Sequence, residues 1–324
     1  MNRCLCCGKP LKNLTVGSNE YLFGWHTNCI KKFFGTSRMP DIDFSEEMFE
    51  MIATESINKG YTVTGVQKKL SLHLSTEKEP RLTLVNYPTG YILKPQTAEY
   101  KCLPEAEYLA MQMAVATGIK TVPFALLKHR TPDGDFAYIT KRIDRVKSDN
   151  GIGMLAMEDF CQLDGRITMD KYRGSYERCG KVILNYSSQK MLDLTELFLR
   201  IVFSFAIGNS DMHLKNFSLI ETYESSSEYV LSSAYDLLPV NIIIPEDLEQ
   251  LALTINGKKR NIRKKDFYVF ADTLGITEKA TEKLINKVVS MKAKYITMCK
   301  DSFLPDDMQE ALINLITERI AILS

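Results

Sequence analysis

The sequence lacks a strong excess of charge of either sign, and it lacks a long hydrophobic run. Its 41 Lys and Arg residues nearly balance its 40 Asp and Glu residues, which leaves a formal net charge of +1. A balanced chain carries no global basic field that favours nucleic acid, and no acidic excess that favours disorder. The apolar stretch FLRIVFSFAI is interrupted by Arg200. It is too short to cross a bilayer, which takes about 20 apolar residues.

The sequence also lacks an internal repeat and a low-complexity tract beyond the short loop ESSSE. Its first residues, MNRCLCCGKP, contain no apolar segment of the kind found in secretory signals. These absences predict a cytoplasmic protein without a membrane partner. The 324 residues, of which 45% are hydrophobic and 25% charged, suit a globular chain long enough for two packed units.

The hydrophobic pattern changes along the chain, from alternation typical of strands to spacing typical of helices. Residues 61–145 predict a mainly antiparallel sheet with one helix packed on it, and residues 146–324 predict a helical lobe. Residues 1–36 form a separate segment rich in Cys and His, and residues 37–60 form a linker with a short helix. This order predicts an α+β fold with a β-rich lobe, a helical lobe and a cleft between them. The strand segments are KLSLHL, RLTLVN, GYILK, VPFALL and FAYITK.

Two predicted helices have clear boundary residues. The segment PEAEYLAMQMAVATGI has Pro104 at its start and Gly118 at its end. The segment DLTELFLRIVFSFAIGN has apolar residues at the spacing of a buried helix face, with Asp193 as a candidate N-cap and Gly208 as its end. The polar stretch GNSDMHLKN follows this helix directly. So many polar groups at the end of a buried helix indicate either a chance loop or a site of chemistry.

The polar stretch contains the spacing of a phosphotransfer loop. Protein kinases place the carboxylate that accepts the substrate proton and a metal-binding Asn in the pattern D-x-x-x-x-N. Asp211 and Asn216 have this spacing, and Asp236 follows where a second metal-binding carboxylate is needed. Upstream, Lys94 ends a predicted strand and Glu107 lies on the next helix, as in the Lys–Glu pair of kinases. Each residue alone is typical of a solvated position, but the order of all five is far more restrictive.

With these residues in view, the chain resembles the HipA-type toxin serine/threonine kinase family, the toxin component of bacterial toxin–antitoxin pairs. The resemblance runs from about Tyr61 to about Asp266 and includes several motifs in the family's order. It implies a two-lobed, protein-kinase-like fold that uses ATP and Mg²⁺. The motifs are TVTGVQKKLSL, GYILKP, EAEYLAM, ITKRIDR, MEDFCQ, KYRGSYE, GNSDMHLKNFSL and AYDLLPV.

The resemblance implies a role for each matching position. Asp211 matches the catalytic Asp, and Asn216 and Asp236 match the Mg²⁺ ligands. Lys94 matches the phosphate-binding lysine, with Glu107 as its partner. The other ATP-binding positions are Thr64, Gly65, Val66, Gln67, Lys68 and Lys69 in the phosphate-binding loop, Lys141, Arg142 and Ile143 in the adenine-binding hinge, Asp144 at the ribose, and His213 and Lys215 beside the catalytic Asp.

Several interpretations of these segments have alternatives. In the family a serine at or near the phosphate-binding loop is autophosphorylated, and Thr62 and Thr64 are the matching hydroxyls here, although two threonines also simply favour a strand. His213 is either a phosphate-contacting or loop-ordering group, or a buried and satisfied histidine. The motif KYRGSYE resembles a family motif but has no role that its chemistry assigns: it either lines the protein-substrate side or fixes a loop. The basic run at 257–265 is interpreted as a solvated turn, with a docking patch for tRNA as the alternative.

The first 29 residues contain four of the eight cysteines and suggest a metal site. Cys4 and Cys7 form one C-x-x-C pair, and His26 and Cys29 form a second pair of the same spacing. We expect structural Zn²⁺ rather than a catalytic metal, because four protein ligands leave no open position. Cys6 is able to replace Cys4 in the set. The alternative is a group of free thiols docked on the rest of the chain.

The expected reaction is ATP- and Mg²⁺-dependent phosphorylation of Ser or Thr on a protein. The resemblance implies an aminoacyl-tRNA synthetase as a possible target, and an antitoxin with a helix-turn-helix DNA-binding domain as a partner. About sixty residues precede the phosphate loop, which resembles the short form of the family, whose missing subdomain is supplied by a separate small protein. The chain itself need not bind DNA. The competing interpretations are a catalytically inactive kinase-like binding module and a small-molecule kinase.

Overall fold

The computed structural model describes residues 2–12, 14–41, 69–75, 80–83, 90–128, 135–148 and 151–324. The predicted linker helix and most of the phosphate-binding loop lie outside these residues. The chain divides into two compact units. Unit 1 contains Met1–Tyr108 and Val122–Lys147, and unit 2 contains Leu109–Thr121 and Ser148–Ser324.

Unit 1 begins with a Cys/His element that contains two short helices, α1 (Asn19–Phe23) and α2 (Thr27–Phe34). The Ser18 side chain caps α1 by accepting a hydrogen bond from the Tyr21 backbone N–H. Gly24 and Gly35 end the two helices in the left-handed conformation, with φ of 68° and 77°. The element is therefore made of local turns, and it needs other contacts to hold it in place.

A five-stranded antiparallel sheet follows the Cys/His element in unit 1. Its strands are β1 (Leu70–Ser75), β2 (Arg81–Thr83), β3 (Tyr91–Pro95), β4 (Phe124–Lys128) and β5 (Phe136–Lys141), and β6 (Arg145–Ser148) follows them. The strand order is β2-β1-β3-β5-β4. Strands β3 and β5 occupy the interior of the sheet, and their register places Lys94 opposite Tyr138. Lys94 thus projects from the middle of the sheet rather than from a solvated edge.

The Cys/His element packs on this sheet through backbone bonds and an aromatic cluster. The Leu126 N–H on edge strand β4 donates to the Leu5 carbonyl at 2.8 Å, and the Trp25 indole N–H donates to the Leu126 carbonyl at 3.0 Å. Trp25 is fully buried, and its ring stacks on Phe34 with 5.6 Å between centroids. The element thereby occupies backbone groups of an edge strand that would otherwise be open to pairing.

Helix α3 (Leu103–Thr117) starts in unit 1 and continues into unit 2. As predicted, Pro104 lies in its first turn and Gly118 follows its last residue with a φ of 82°. Its side chains are buried around most of its circumference, which explains its weak amphipathic character.

Unit 2 is mainly helical. Its small antiparallel sheet consists of β8 (Met157–Asp159), β9 (Ser218–Glu221) and β10 (Tyr229–Leu231), in the order β10-β9-β8. Strand β7 (Gly151–Met154) lies outside this sheet. The helices of unit 2 are α4 (Phe160–Leu163), α5 (Tyr176–Tyr186), α6 (Lys190–Ile207), α7 (Val240–Ile243), α8 (Lys264–Thr273), α9 (Glu278–Val289), α10 (Lys292–Lys300) and α11 (Asp306–Leu323).

Helix α6 is the core of unit 2, where α5, α9 and α11 pack against it. The predicted cap is wrong: the helix begins at Lys190, and Asp193 lies inside its first turn. There the Asp193 carboxylate accepts hydrogen bonds from the Ser187 hydroxyl at 2.6 Å and from the Leu231 N–H at 2.7 Å. The buried carboxylate therefore joins the start of the helix to β10.

The end of α6 is at Gly208, as predicted, with a φ of 73°. The left-handed φ favours glycine here, and a Cβ would lie 2.4 Å from a methyl carbon of Leu315, whose side chain would have to shift. Among the described residues, none of the helices combines the length and apolar character of a bilayer span. The predicted α+β class, with a sheet-rich part followed by a helical part, is confirmed.

Candidate active site

The polar stretch after α6 is a fixed loop in unit 2 rather than a solvated connection. Met212 and Leu214 are fully buried, so their side chains anchor the loop in the core of unit 2. The Asn209 side-chain oxygen accepts a hydrogen bond from the Asp211 N–H at 3.2 Å, and the Asn216 side-chain oxygen accepts one from the His213 N–H at 3.0 Å. The polar side chains therefore satisfy the backbone of a tight turn, which holds the orientation of the groups around it.

Asn216 and Asp236 lie side by side, although 20 residues separate them. The Asn216 amide nitrogen donates to Asp236 Oδ2 at 3.3 Å, and the Asn216 side chain is buried. Asp236 has a φ of 59°, in the left-handed region, where Asp and Asn are enriched among non-glycine residues. In this arrangement the amide nitrogen of Asn216, not its oxygen, faces Asp236. An amide oxygen and a carboxylate together are a donor set that suits Mg²⁺. The amide oxygen retains a second lone pair in addition to the one that accepts the His213 N–H.

Lys215 and His213 have close neighbours in the same unit. The Lys215 ammonium is 2.7 Å from Asp159 Oδ2, at the end of β8. The Tyr235 hydroxyl donates to the Lys215 carbonyl at 3.1 Å. His213 is buried, and its ring meets the ring of Tyr172 edge to face, with 4.9 Å between centroids. Lys215 would have to exchange Asp159 for phosphate in order to contact ATP directly.

The sequence interpretation missed one residue of this site, Tyr172. Its hydroxyl donates a hydrogen bond to Oδ1 of Asp211. Burial and the neighbouring Asp211 carboxylate both raise the pKa of Tyr172, so that the phenol keeps its proton and acts as a donor. The available signal was the unassigned motif KYRGSYE, which contains Tyr172 but does not show what it contacts.

In unit 1, Lys94 and Glu107 form a buried ion pair. The Lys94 ammonium is 2.6 Å from Glu107 Oε1, and the two residues are 3% and 2% exposed. The ammonium also lies 5.3 Å from the centre of the Tyr138 ring. Burial makes either charge costly without the other, so each partner holds the other in one position. This is the arrangement expected of a lysine that is held for phosphate by a helix carboxylate.

The predicted hinge continues from β5. The Lys141 N–H donates to the Pro123 carbonyl and the Arg142 N–H to the Gly90 carbonyl, both at 2.9 Å.

Arg142 binds the buried Asp144 with two hydrogen bonds, at 2.9 and 2.5 Å, and Arg145 binds the same carboxylate. Burial opposes ionisation of Asp144, but the arginines outweigh it and lower its pKa. A ribose contact would have to replace one of these bonds. Ile143, which lies between Arg142 and Asp144 in the sequence, is partly exposed.

Most of the predicted phosphate-binding loop lies outside the described residues. These are Thr62, Thr64, Gly65, Val66, Gln67 and Lys68. Lys69, the last residue of the loop, is described, and it directly precedes β1 with a partly exposed side chain.

The Cys/His element brings four metal-binding groups together. Ligand atoms of Cys4, Cys7, His26 and Cys29 all lie within 4.8 Å of one another. His26 Nδ1 is 3.4 Å from the Cys7 sulfur and 3.8 Å from the Cys29 sulfur. Two ligands on a tetrahedral zinc ion are separated by about 3.5–3.8 Å. Within the described part of the chain, Cys6 is outside this set, so the geometry favours Cys4.

The second nitrogen of His26 also fits a metal-ligating histidine. Nε2 lies 3.2 Å from the Pro10 carbonyl oxygen. A histidine that binds a metal through one nitrogen usually donates the N–H of the other to such an oxygen, which fixes the orientation of the ring. The residues present therefore suit one structural Zn²⁺ ion.

Comparisons with known proteins agree with these motifs. The family model of the HipA-like C-terminal domain matches residues 61–295. A Haemophilus influenzae protein named "Putative kinase" is 27% identical over 352 residues, which include all of this chain and 98% of the relative. The Sinorhizobium fredii protein "Putative kinase Y4dM" is 32% identical over 68% of this chain and 55% of its own length. The chain thus spans little more than half of that relative.

Two solved structures share the fold. The HipA chain from the Shewanella oneidensis MR-1 complex of HipA, HipB and operator DNA has a TM-score of 0.65 at 22% identity, over 81% of this chain and 64% of that one. The Helicobacter pylori proinflammatory kinase CtkA has a TM-score of 0.52 at 17% identity, over 78% of this chain and 93% of that one. These matches confirm the predicted kinase-like fold. Since the family model covers most of the sequence, this chain belongs to the HipA-like kinase family.

Proposed function

We propose that this protein is an ATP- and Mg²⁺-dependent serine/threonine protein kinase that acts in the bacterial cytoplasm as the toxin of a toxin–antitoxin system. One observation carries the proposal: a fixed, buried loop presents Asp211 and places Asn216 beside Asp236. A base and two oxygen donors for Mg²⁺ are the parts that phosphoryl transfer requires, because the reaction depends on positioning and on charge stabilisation.

Each residue has a defined task in this proposal. Asp211 orients the acceptor hydroxyl and takes its proton. Asn216 and Asp236 hold the Mg²⁺ that accompanies ATP, which enters as substrate. Lys94 binds the phosphates, and Glu107 holds Lys94 for that purpose. The other ATP-contacting positions are Thr64, Gly65, Val66, Gln67, Lys68 and Lys69 at the phosphates, Lys141, Arg142 and Ile143 at the adenine, Asp144 at the ribose, and His213 and Lys215 beside the phosphates.

Two further elements belong to the proposal. Thr62 or Thr64 serves as an autophosphorylation site near the phosphate-binding loop. The Cys/His element holds one structural Zn²⁺ ion through Cys4, Cys7 and Cys29 together with His26, as the convergence of their ligand atoms supports.

The proposed partners are those of a toxin kinase. The Shewanella HipA chain was solved with HipB and operator DNA, which supports an antitoxin partner with a helix-turn-helix domain for this chain. The proposed substrate is a translation component such as an aminoacyl-tRNA synthetase. The kinase chain itself does not need to bind DNA.

Expression in a bacterial host tests the toxin function. Wild type should slow growth, whereas Asp211→Ala should not, because it removes the proposed base. Asp272→Ala is the matched control, since Asp272 is exposed on α8, and it should be as toxic as wild type. Equal growth inhibition by wild type and Asp211→Ala, or inhibition by neither, contradicts the toxin proposal. It would leave an inactive binding module or a small-molecule kinase as the remaining interpretations.

A further inference from the structure

The segment 171–176, which contains most of the motif KYRGSYE, is fastened to the candidate catalytic loop along its length. The Lys171 carbonyl accepts a hydrogen bond from the Leu214 N–H at 3.2 Å. Five residues later, the fully buried Tyr176 donates its hydroxyl hydrogen to the Met212 carbonyl at 2.9 Å. The two bonds lie on either side of Tyr172, so its position next to the loop is imposed by the fold.

Tyr172 contacts the proposed base directly. Its hydroxyl donates to Asp211 Oδ1, and its ring packs edge to face against His213. The Lys171 ammonium lies 4.9 Å from the centre of the same ring. The side chain is held on its inner side by a hydrogen bond and a ring contact. Because the residue is still 40% exposed, its outer edge remains accessible beside Asp211.

These contacts limit the freedom of the Asp211 carboxylate. The terminal torsion of an Asp side chain is broad, so its carboxylate can take a range of orientations. A directional hydrogen-bond donor narrows that range. Phosphoryl transfer is sensitive to such positioning, since a misplacement of about 1 Å costs on the order of 10²-fold in rate. A neutral tyrosine donor supplies this restraint without competing with Asp211 for the acceptor proton.

We propose that Tyr172 is a positioning residue of the phosphotransfer site, which orients Asp211 through its hydroxyl and borders the place where the acceptor hydroxyl binds. This inference rests on the proposed kinase function. It assigns a role to the motif KYRGSYE, whose chemistry alone assigned none. Tyr172 acts on Asp211 and not on the nucleotide, so its loss should change the rate of transfer and leave nucleotide binding intact.

The test uses the purified full chain and its turnover of MgATP to ADP, with water as the acceptor. Tyr172→Phe keeps the ring and removes the hydroxyl, and we expect kcat to fall about tenfold while the KM for ATP stays within about twofold. Tyr186→Phe is the matched control, because Tyr186 is a 50% exposed tyrosine at the end of α5, and it should behave as wild type. Asp211→Ala sets the background rate.

The outcomes separate this inference from the proposed function. A normal or raised kcat in Tyr172→Phe, with Asp211→Ala inactive, overturns the role of Tyr172 but leaves the kinase proposal in place. Equal loss of kcat and of ATP affinity, or a melting temperature well below that of wild type, shows a merely structural role and also overturns it. Failure of the wild type to bind MgATP, or to transfer its γ-phosphate either to water or to protein, overturns the kinase proposal, and this inference with it.

Discussion

Tyr108, the residue after Glu107 on helix α3, donates its hydroxyl hydrogen to the carbonyl oxygen of Cys4 at 3.3 Å. Tyr108 is buried, so this bond is shielded from water. It joins the backbone of a proposed zinc ligand to the helix that carries the partner of Lys94. Together with the bonds from Leu126 and Trp25, it makes the Cys/His element part of the packing of unit 1.

Removal of the metal should therefore destabilise unit 1. We expect one zinc ion per purified chain by elemental analysis, and loss of that zinc in Cys29→Ser. Cys6→Ser is the matched control, because Cys6 lies next in sequence to a ligand but outside the cluster, and it should retain zinc. The fluorescence of Trp25, the single tryptophan, should report unfolding at a lower urea concentration for Cys29→Ser. Zinc retention by Cys29→Ser, or zinc loss in Cys6→Ser, contradicts this ligand set.

The Lys94–Glu107 pair should show strong coupling in stability. Lys94→Met leaves the buried Glu107 carboxylate without the Lys94 ammonium, and Glu107→Leu leaves the buried ammonium without that carboxylate. Each single change should lower the free energy of unfolding by about 3 kcal/mol, measured by urea denaturation with Trp25 fluorescence. The combination Lys94→Met with Glu107→Leu should recover most of this loss, because both charges are gone. Additive losses in the double variant would contradict a direct pair.

Glu105 should make unit 1 less stable as pH rises. Burial, and then the charge of Asp135, raise the pKa of the Glu105 carboxyl from its ordinary value of 4.5 to about 7. Its Oε2 is buried and accepts no hydrogen bond from any described residue. Between about pH 4.5 and pH 7, the Glu105 carboxyl therefore keeps its proton in the folded state and releases it in the unfolded state. The stability contribution of Glu105 is fully present below about pH 4.5, falls as pH rises, and is lost above about pH 7.

The substitution Glu105→Gln removes this pH dependence. We expect the variant to exceed wild type in free energy of unfolding by about 2 kcal/mol at pH 8, with a much smaller difference at pH 5. Glu310→Gln, an exposed change on α11, should show no such trend. A difference between Glu105→Gln and wild type that is the same at both pH values would contradict a neutral Glu105.

Asp236 should control the effect of Mg²⁺ on ATP binding. Asp236→Asn keeps the size of the side chain, and Asn tolerates the left-handed φ of 59° at this position, so the substitution tests charge rather than backbone strain. In the presence of Mg²⁺, calorimetry should show ATP affinity reduced by about tenfold or more. Without Mg²⁺ the variant and wild type should bind ATP equally weakly. A Mg²⁺ effect of unchanged size in Asp236→Asn would exclude Asp236 as a ligand.

Local sequence signals predicted the features that depend on neighbouring residues. Gly208 and Gly118 end their helices because a left-handed residue is needed there. Features set by tertiary contact were not predictable in this way. Asp193 resembled a cap, but its partners include Leu231, which is distant in sequence.

In the candidate site, too, local spacing was predictable from the sequence and tertiary contacts were not. The pattern D-x-x-x-x-N and the order of strand lysine and helix glutamate were visible in the sequence, because these spacings follow from the fold that carries them. The contact of Tyr172 with Asp211 was not, since 39 residues separate the two. The choice of Cys4 over Cys6 also required the structure, because each Cys precedes the His26–Cys29 pair at a plausible spacing.

The most direct test of the kinase proposal is transfer of the labelled γ-phosphate of ATP by the purified protein, to itself or to proteins of a bacterial lysate. Asp211→Asn is the reference, since it keeps an oxygen that accepts the Tyr172 hydroxyl but removes the base. We predict label on serine or threonine with wild type, and at least about 100-fold less with Asp211→Asn. Labelling of equal rate by the two proteins, or no labelled serine or threonine with wild type, would contradict the proposal.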